Sequence, residues 1–403
     1  VVSVAGAALI GSVLAGCSGA GTTSPGAEAD ALTTSVTVQG PWRSWSRTLS
    51  AREVSGACGA TTHQVVCSIA PDGLIGRSRV DGTVTWTVPA TGSNGKNAGL
   101  VVDAADERAV TGAGRTLRVA NLRTGRAAWS HRAPAGRTYV GFAAADGVVY
   151  ALDAPSGSEN GTLRAFRASD GTSVWQTSVE AESGEGLTAF GGRIYTTDGT
   201  KVTAHDARTG KTLAAGPAGT KCPHLIAGGG YLVCTGSPLS AEDSFPPLRR
   251  LDPATLKPLA TAEDTGMKPE RGLISSDGVL MLFEDSAEDP GAGTWSAYDL
   301  NHPRRLWSYA TTTKEAGLTG GRFVTFTPSN DTTKGRVITI DLHAGPDGTG
   351  TAAPRLSPAY PEARESVYPA LIVPGADSGH VVVEATAHHS PTAHNALRSV
   401  PLP

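Results

Sequence analysis

The residues best suited to covalent chemistry are five cysteines, at positions 17, 58, 67, 222 and 234. Cys17 stands apart. The other four form two close pairs, in "CGATTHQVVC" and "CPHLIAGGGYLVC". Such pairs offer either local disulfides or, with His63 and His224 lying between the paired thiols, a metal site. Separations of nine and twelve residues fit no compact zinc pattern. Two disulfides, Cys58 with Cys67 and Cys222 with Cys234, are the preferred reading, and they imply an oxidising compartment outside the cytoplasm.

Cys17 closes an uncharged apolar run, "VVSVAGAALIGSVLAG". The run is short for a membrane span and reads as the apolar part of a signal peptide. It lacks a preceding basic segment and an initiator Met, so the natural chain is expected to begin upstream. Leu14-Ala15-Gly16-Cys17 resembles a bacterial lipobox, which predicts a signal peptide over 1–16 and a diacylglycerol on Cys17. Residues 17–40, "CSGAGTTSPGAEADALTTSVTVQG", are small and polar. They cannot offset the entropy of ordering a chain and read as a tether. The third predicted unit is the folded domain, 41–403.

Other chemistry-bearing stretches are weaker. "ARTGKT" (Ala207–Thr212) ends like a phosphate-binding loop, but the first Gly of that motif should stand where His205 does. His388, His389 and His394 fall in one predicted loop. "NHPRR" (Asn301–Arg305) and "PLRR" (Pro247–Arg250) are small basic spots. "SAEDPGAG" (Ser286–Gly293) lacks calcium-loop spacing. Neither GxSxG nor HExxH occurs. The formal net charge of −3 argues against a nucleic-acid partner, which would require a basic surface.

The elements that must position these residues repeat. "LRAFRASDGTSVWQTSV" (Leu163–Val179) alternates apolar and polar residues, turns at Asp170-Gly171 and reaches Trp175. Related stretches place Trp86, Trp129, Ala214, Ala260 and Trp307 at the same point, and Trp45 has the same character. Successive anchors are 39 to 47 residues apart. Between them recurs a Gly or Asp turn followed by a short apolar run, as in "DGVVYAL", "GGRIYTT" and "GGRFVTF"; eight copies are present. A period near 45 residues with several strands per unit predicts an all-β, eight-bladed β-propeller of four-stranded antiparallel blades. The last unit lacks an outer strand, and the N-terminal segment around Trp42 to Leu49 is predicted to supply it and close the ring. The five anchors Trp45, Trp86, Trp129, Trp175 and Trp307 are expected to pack blade on blade.

The unit resembles the PQQ-like propeller repeat, Ala-x-Asp-x-x-Thr-Gly-x-x-x-Trp. Ala204, Asp206, Thr209 and Gly210 match it, with Ala214 in place of the Trp. Val119, Asn121, Thr124, Gly125 and Trp129 form a second copy; Ala297, Asp299 and Trp307 form a third. The resemblance covers about 41–403. A lipid-anchored propeller is similar in plan to the outer-membrane assembly scaffold of Gram-negative bacteria, although the Gly/Ala-rich lipoprotein style is similar to actinobacterial chains. The family also includes quinoprotein dehydrogenases, which hold pyrroloquinoline quinone and Ca²⁺ in the central funnel. No Cys-Cys dipeptide occurs here, and Asp206, Asp252, Asp299 and Asp341 sit at a repeat position. The expectation is a monomeric, non-catalytic scaffold or sensor without cofactor or metal. It would be lipid-anchored on the extracytoplasmic face of the membrane and bind another envelope protein. Capture of a small molecule or glycan in the funnel is the alternative, followed by a quinoprotein-type oxidoreductase.

Overall fold

The computed structural model describes residues 40–50, 53, 57–91, 99–155, 160–180, 187–217, 222–235, 248–262, 269–285, 293–328, 335–358, 367–374, 379–387 and 396–403. These residues build eight four-stranded antiparallel sheets. Blade one is Cys58–Ala60, Gln64–Ile69, Gly73–Ser78 and Val84–Val88; blade two is Leu100–Asp103, Arg108–Ala113, Thr116–Asn121 and Arg126–Arg132. Blade three is Arg137–Ala145, Val148–Pro155, Asn160–Arg167 and Ser173–Glu180; blade four is Thr188–Phe190, Arg193–Thr197, Val202–Asp206 and Thr212–Ala215. Blade five is His224–Gly228, Tyr231–Thr235, Leu248–Leu251 and Pro258–Ala262; blade six is Pro269–Ile274, Val279–Asp285, Gly293–Asp299 and Arg304–Thr311. Blade seven is Gly317–Thr319, Arg322–Phe326, Val337–Asp341 and the two-residue Arg355–Leu356. Blade eight takes Val367–Pro374, His380–Ala387 and Ala396–Pro401 from the C-terminal end and Trp45–Thr48 from the N-terminal end.

The sequence pattern follows each strand's place in the blade. Second strands have a neighbouring blade on both faces, so their middles are buried on both sides. Val279, Leu280, Met281, Leu282 and Phe283 are all fully buried. Outer strands alternate, as in Ser173–Glu180, because one face meets solvent. Among the described residues the one helix is a single 3₁₀ turn, Gly350–Ala352. First strands contact one another from blade eight through blade four, between five and six, and between seven and eight. They form the inner wall.

The hydrophobic core lies between blades rather than within them. Val66, Leu74, Trp86, Ala109 and Ala120 fill the junction of blades one and two. Val110, Val119, Tyr139, Val149 and Phe166 fill the next. Blades six and seven share Met281, Phe283, Trp295, Phe323 and Ile340. The ring closes by antiparallel pairing of Trp45 with Ser399 through Thr48 with Ala396. Trp42, Trp45, Val65, Val382 and Leu397 then pack blade eight on blade one. Closure covers edges that would otherwise be open to pairing with another chain.

Turns from first to second strand and from third to fourth lie on one face of the ring, the turn face. The third-to-fourth turns back-bond to the first-to-second turns: Leu122 N–H to Glu107 O, Ala168 to Gly147, Ala207 to Gly192 and Leu342 to Gly321. Connections from second to third strand and from blade to blade leave from the opposite face. Gly114-Arg115 in blade two is a short example.

Candidate functional site

Both predicted disulfides are present. Cys58 and Cys67 face each other in register and join the first strand of blade one to its second. Cys222 differs slightly. It precedes the first strand of blade five, bridges to Gly199 of blade four, and is bonded to Cys234 on the second strand. That bridge therefore fixes the entry into a blade. Cys17 lies outside the described residues, as do His388, His389, His394 and 286–292.

The repeat Gly and the repeat Trp meet, but in different blades. The Trp of one outer strand lies across the Gly of the next blade's turn. A Cβ on Gly82 would fall 2.4 Å from Trp45 Cε3, on Gly125 2.3 Å from Trp86 Cγ, and on Gly171 2.7 Å from Trp129 Cδ2. Gly210 stands in the same relation to Trp175, and Gly345 to Trp307. These glycines also have φ between +65° and +74°. A side chain there would meet both backbone strain and the indole.

Each indole N–H is used as well. It donates to the carbonyl three residues before that Gly: Trp45 to Arg79 O at 3.2 Å, Trp129 to Ala168 O at 2.9 Å, Trp175 to Ala207 O at 3.0 Å and Trp307 to Leu342 O at 2.9 Å. Trp86 reaches Leu122 O through Gln64, by bonds of 2.7 and 2.8 Å. A buried Trp N–H needs such an acceptor.

Two junctions substitute other side chains. Between blades four and five, Ala214 replaces the Trp and fully buried Leu256, at φ +59°, replaces the Gly. Tyr195 Oη donates to the equivalent carbonyl, Pro253 O, at 3.0 Å. Between five and six, Arg250 lies 4.8 Å over the Tyr231 ring and donates to Leu300 O at 3.1 Å. Arg250 also donates to Asn301 Oδ1 at 2.9 Å. The two basic spots of the sequence thus meet in one interblade contact.

The recurring acids are turn residues. Asp206 Oδ1 accepts from Arg208 N–H, Thr209 N–H and Thr209 Oγ–H at 3.1, 2.8 and 2.8 Å. Asp252 accepts from Ala254 and Thr255, Asp299 from Asn301 and His302, and Asp341 from His343 and Ala344. The Thr209 hydroxyl holds the Asp206 carboxyl below its ordinary 3.8, and the Thr255 N–H does the same for Asp252. Arg208, Thr209 and Lys211 of "ARTGKT" belong to this β-turn. The turn opens no helix that could receive a phosphate.

Two clefts open between blades. One, of about 570 Å³, lies between blades three and four and is polar, with Arg137, Asn160, Thr162, Lys201 and His205 in its lining. Beside it, fully buried Asp153 accepts from Arg164 at 2.6 Å and pairs with Arg137. Burial pushes the His205 imidazole below 6.5 and so keeps it neutral. Such a lining can hydrogen-bond a small polar molecule. The other cleft, of about 500 Å³, lies between blades seven and eight and is mostly apolar.

The fold is an eight-bladed β-propeller, and its repeat is similar to the PQQ-like unit. The family model described as outer membrane protein assembly factor BamB matches residues 159–347, a little under half of the chain. BamB from Moraxella catarrhalis superposes with a TM-score of 0.56 at 13% identity, over 90% of this chain and 99% of that one. A quinohemoprotein alcohol dehydrogenase from Pseudomonas putida gives 0.55 at 13%, over 88% and 75%. The C-terminal WD40 domain of Sif2 gives 0.58 at 11%, over 87% and 98%. No curated protein matches the chain. An assembly factor, an oxidoreductase and a WD40 domain share this fold, so the fold by itself does not assign the function.

The dehydrogenase neighbour raises quinone and Ca²⁺ chemistry. Among the described residues, no three His, Cys, Asp or Glu side chains converge to hold a metal ion. The repeat carboxylates already accept backbone N–H bonds in their turns.

Proposed function

We propose that this propeller is a non-catalytic platform for protein interaction, held by a lipid on Cys17 at the extracytoplasmic face of the membrane. The commitment of the repeat's Asp, Gly and Trp residues to turns and blade contacts carries this reading. On the turn face the recurring chemistry builds the ring, and the connections of the opposite face, variable in length, are left to contact a partner. The resemblance to the assembly factor BamB supports a scaffold role. The disulfides and the lipobox-like Leu14–Cys17 support placement in the cell envelope. The polar cleft between blades three and four supports a second reading, binding of a small polar molecule between blades.

In-cell crosslinking of the tagged chain, followed by mass spectrometry, tests the platform. A partner enriched with the wild type and reduced with Cys17→Ala is the expected result. The reading fails if no protein is enriched over an unrelated lipoprotein control. Thermal-shift measurements with glycans, Ca²⁺ and pyrroloquinoline quinone then decide whether the chain is instead a small-molecule binder.

A further inference from the structure

The junction of blades seven and eight lacks both halves of the Trp–Gly lock. Trp307 pairs with Ala297, two residues before Asp299 in blade six. The equivalent pair in blade seven is Arg355 with Thr339, two residues before Asp341. An exposed Arg355 therefore stands where the Trp stands elsewhere. Blade eight has no third-to-fourth turn to carry the Gly, because its last two strands come from opposite regions of the chain. Leu402 occupies the carbonyl position: its N–H bonds Gly379 O as that of Leu342 bonds Gly321 O. The junction's buried core is Val324, Phe326, Val337, Val381 and Val383, with no indole in it.

The 500 Å³ cleft opens at this place, lined by Trp45, Leu356, Pro358, Val400 and the prolines on either side of Leu402. Leu356 is 50% exposed. Arg398 is the charged residue of the lining, and Arg355 adjoins it through Leu356. The cleft is thus apolar inside and cationic at its edge.

We propose that this cleft is a docking socket for a tryptophan on an extended, acidic segment of a partner protein. The occupant's chemistry is set by five of the other junctions, where an indole on an extended strand fills the equivalent position and in four of them donates directly to the equivalent carbonyl. The acidic flanks follow from charge complementarity with the exposed Arg355. The socket rests on the platform reading and deepens it, naming a second surface and the segment that fits it.

The test is fluorescence anisotropy of the labelled peptide acetyl-Asp-Thr-Trp-Thr-Val-Asp-amide against the folded protein. The expected result is saturable binding that weakens about 10-fold or more when the peptide Trp becomes Ala. Arg355→Trp supplies an indole within the chain and should weaken the peptide similarly, as should Leu356→Glu, which places a negative charge in the cleft. Both positions are exposed, and circular dichroism checks each fold. Binding absent up to millimolar peptide, equal for the Ala peptide, or unchanged in both variants overturns the socket. Self-association in sedimentation velocity that Leu356→Glu abolishes would assign the cleft to a second copy and also overturn it. A partner captured through the face opposite the turn face would survive Arg355→Trp, so failure of the socket is distinguishable from failure of the platform.

Discussion

Trp45 packs across Gly82, joining the earliest described strand to the third-to-fourth turn of the first blade. A Cβ at Gly82 would sit 2.4 Å from the indole, whose N–H reaches Arg79 O. The strand that completes blade eight thereby also locks it to blade one. The ring is closed by a hydrogen-bonded ladder inside a blade and by the repeat's own Trp–Gly contact between blades.

Trp45→Ala should therefore cost about 3–5 kcal/mol, the range for removing a large buried aromatic side chain. Urea denaturation followed by fluorescence and circular dichroism measures it. The loss should be accompanied by faster proteolysis near residues 40–50, because the outer strand loses its own large contact with blade one when the indole is gone. A loss under about 1 kcal/mol would mean that the ladder with Ala396–Pro401 suffices for closure.

Ala214 and Leu256 exchange bulk between two blades. At most junctions a large outer-strand residue faces a Gly; here a small one faces Leu256, which is fully buried and at positive φ. Leu256→Gly should lose about 2–5 kcal/mol by opening a cavity, and Ala214→Trp should be destabilised by overpacking. The double variant restores the common lock, so the pair should show a coupling of about 1–3 kcal/mol. Additive losses in the double-mutant cycle would refute the exchange.

The two disulfides close loops of nine and twelve residues in sequence. Each should contribute about 2–4 kcal/mol, mainly by restricting the unfolded chain. Thermal melts with and without reductant, on the wild type and on Cys58→Ser/Cys67→Ser and Cys222→Ser/Cys234→Ser, separate the two. The reductant-dependent shift should halve in each double variant and disappear when both bridges are removed.

His205 predicts an acid-sensitive fold. Its side chain is 3% exposed, and burial lowers its pKa from the ordinary 6.5. His131 is lowered too, by burial and then by the charge of Arg164. The unfolded chain therefore takes up protons more readily than the folded one. Stability from this source is complete above about pH 6.5 and falls as the pH drops toward the folded-state values. Melting temperature should decline between about pH 7 and about pH 5, and His205→Gln should flatten part of that slope. An unchanged slope would clear His205 as its source.

Much of the architecture is legible in the residues. The Asp–Gly turns, the apolar second strands and the spacing of the Trp anchors are local signals, set by positive φ, two-sided burial and the length of a four-stranded unit. The missing outer strand of the last unit, with an unassigned strand around Trp45, was enough to predict closure by the N-terminal segment. The cysteine spacings anticipated both bridges, since two neighbouring antiparallel strands return a chain to itself within about a dozen residues.

That the Trp anchors pack between blades was legible; which residue each one meets was not. The Gly and Trp four residues apart in sequence invite reading as partners, yet each meets its counterpart in an adjacent blade, because an antiparallel hairpin sends its turn toward the neighbour. Leu256 has no local signature for positive φ, and only packing against the neighbouring blade makes the conformation tolerable. Arg250 reads as a surface charge until Tyr231 and Leu300 are brought beside it. The sequence by itself determined eight units and their turns, because those depend on residues near one another in the chain. Only the tertiary structure decided that the junction beside the closure would carry neither the Trp nor the Gly and would open an apolar cleft, because that depends on where the two ends of the chain are joined.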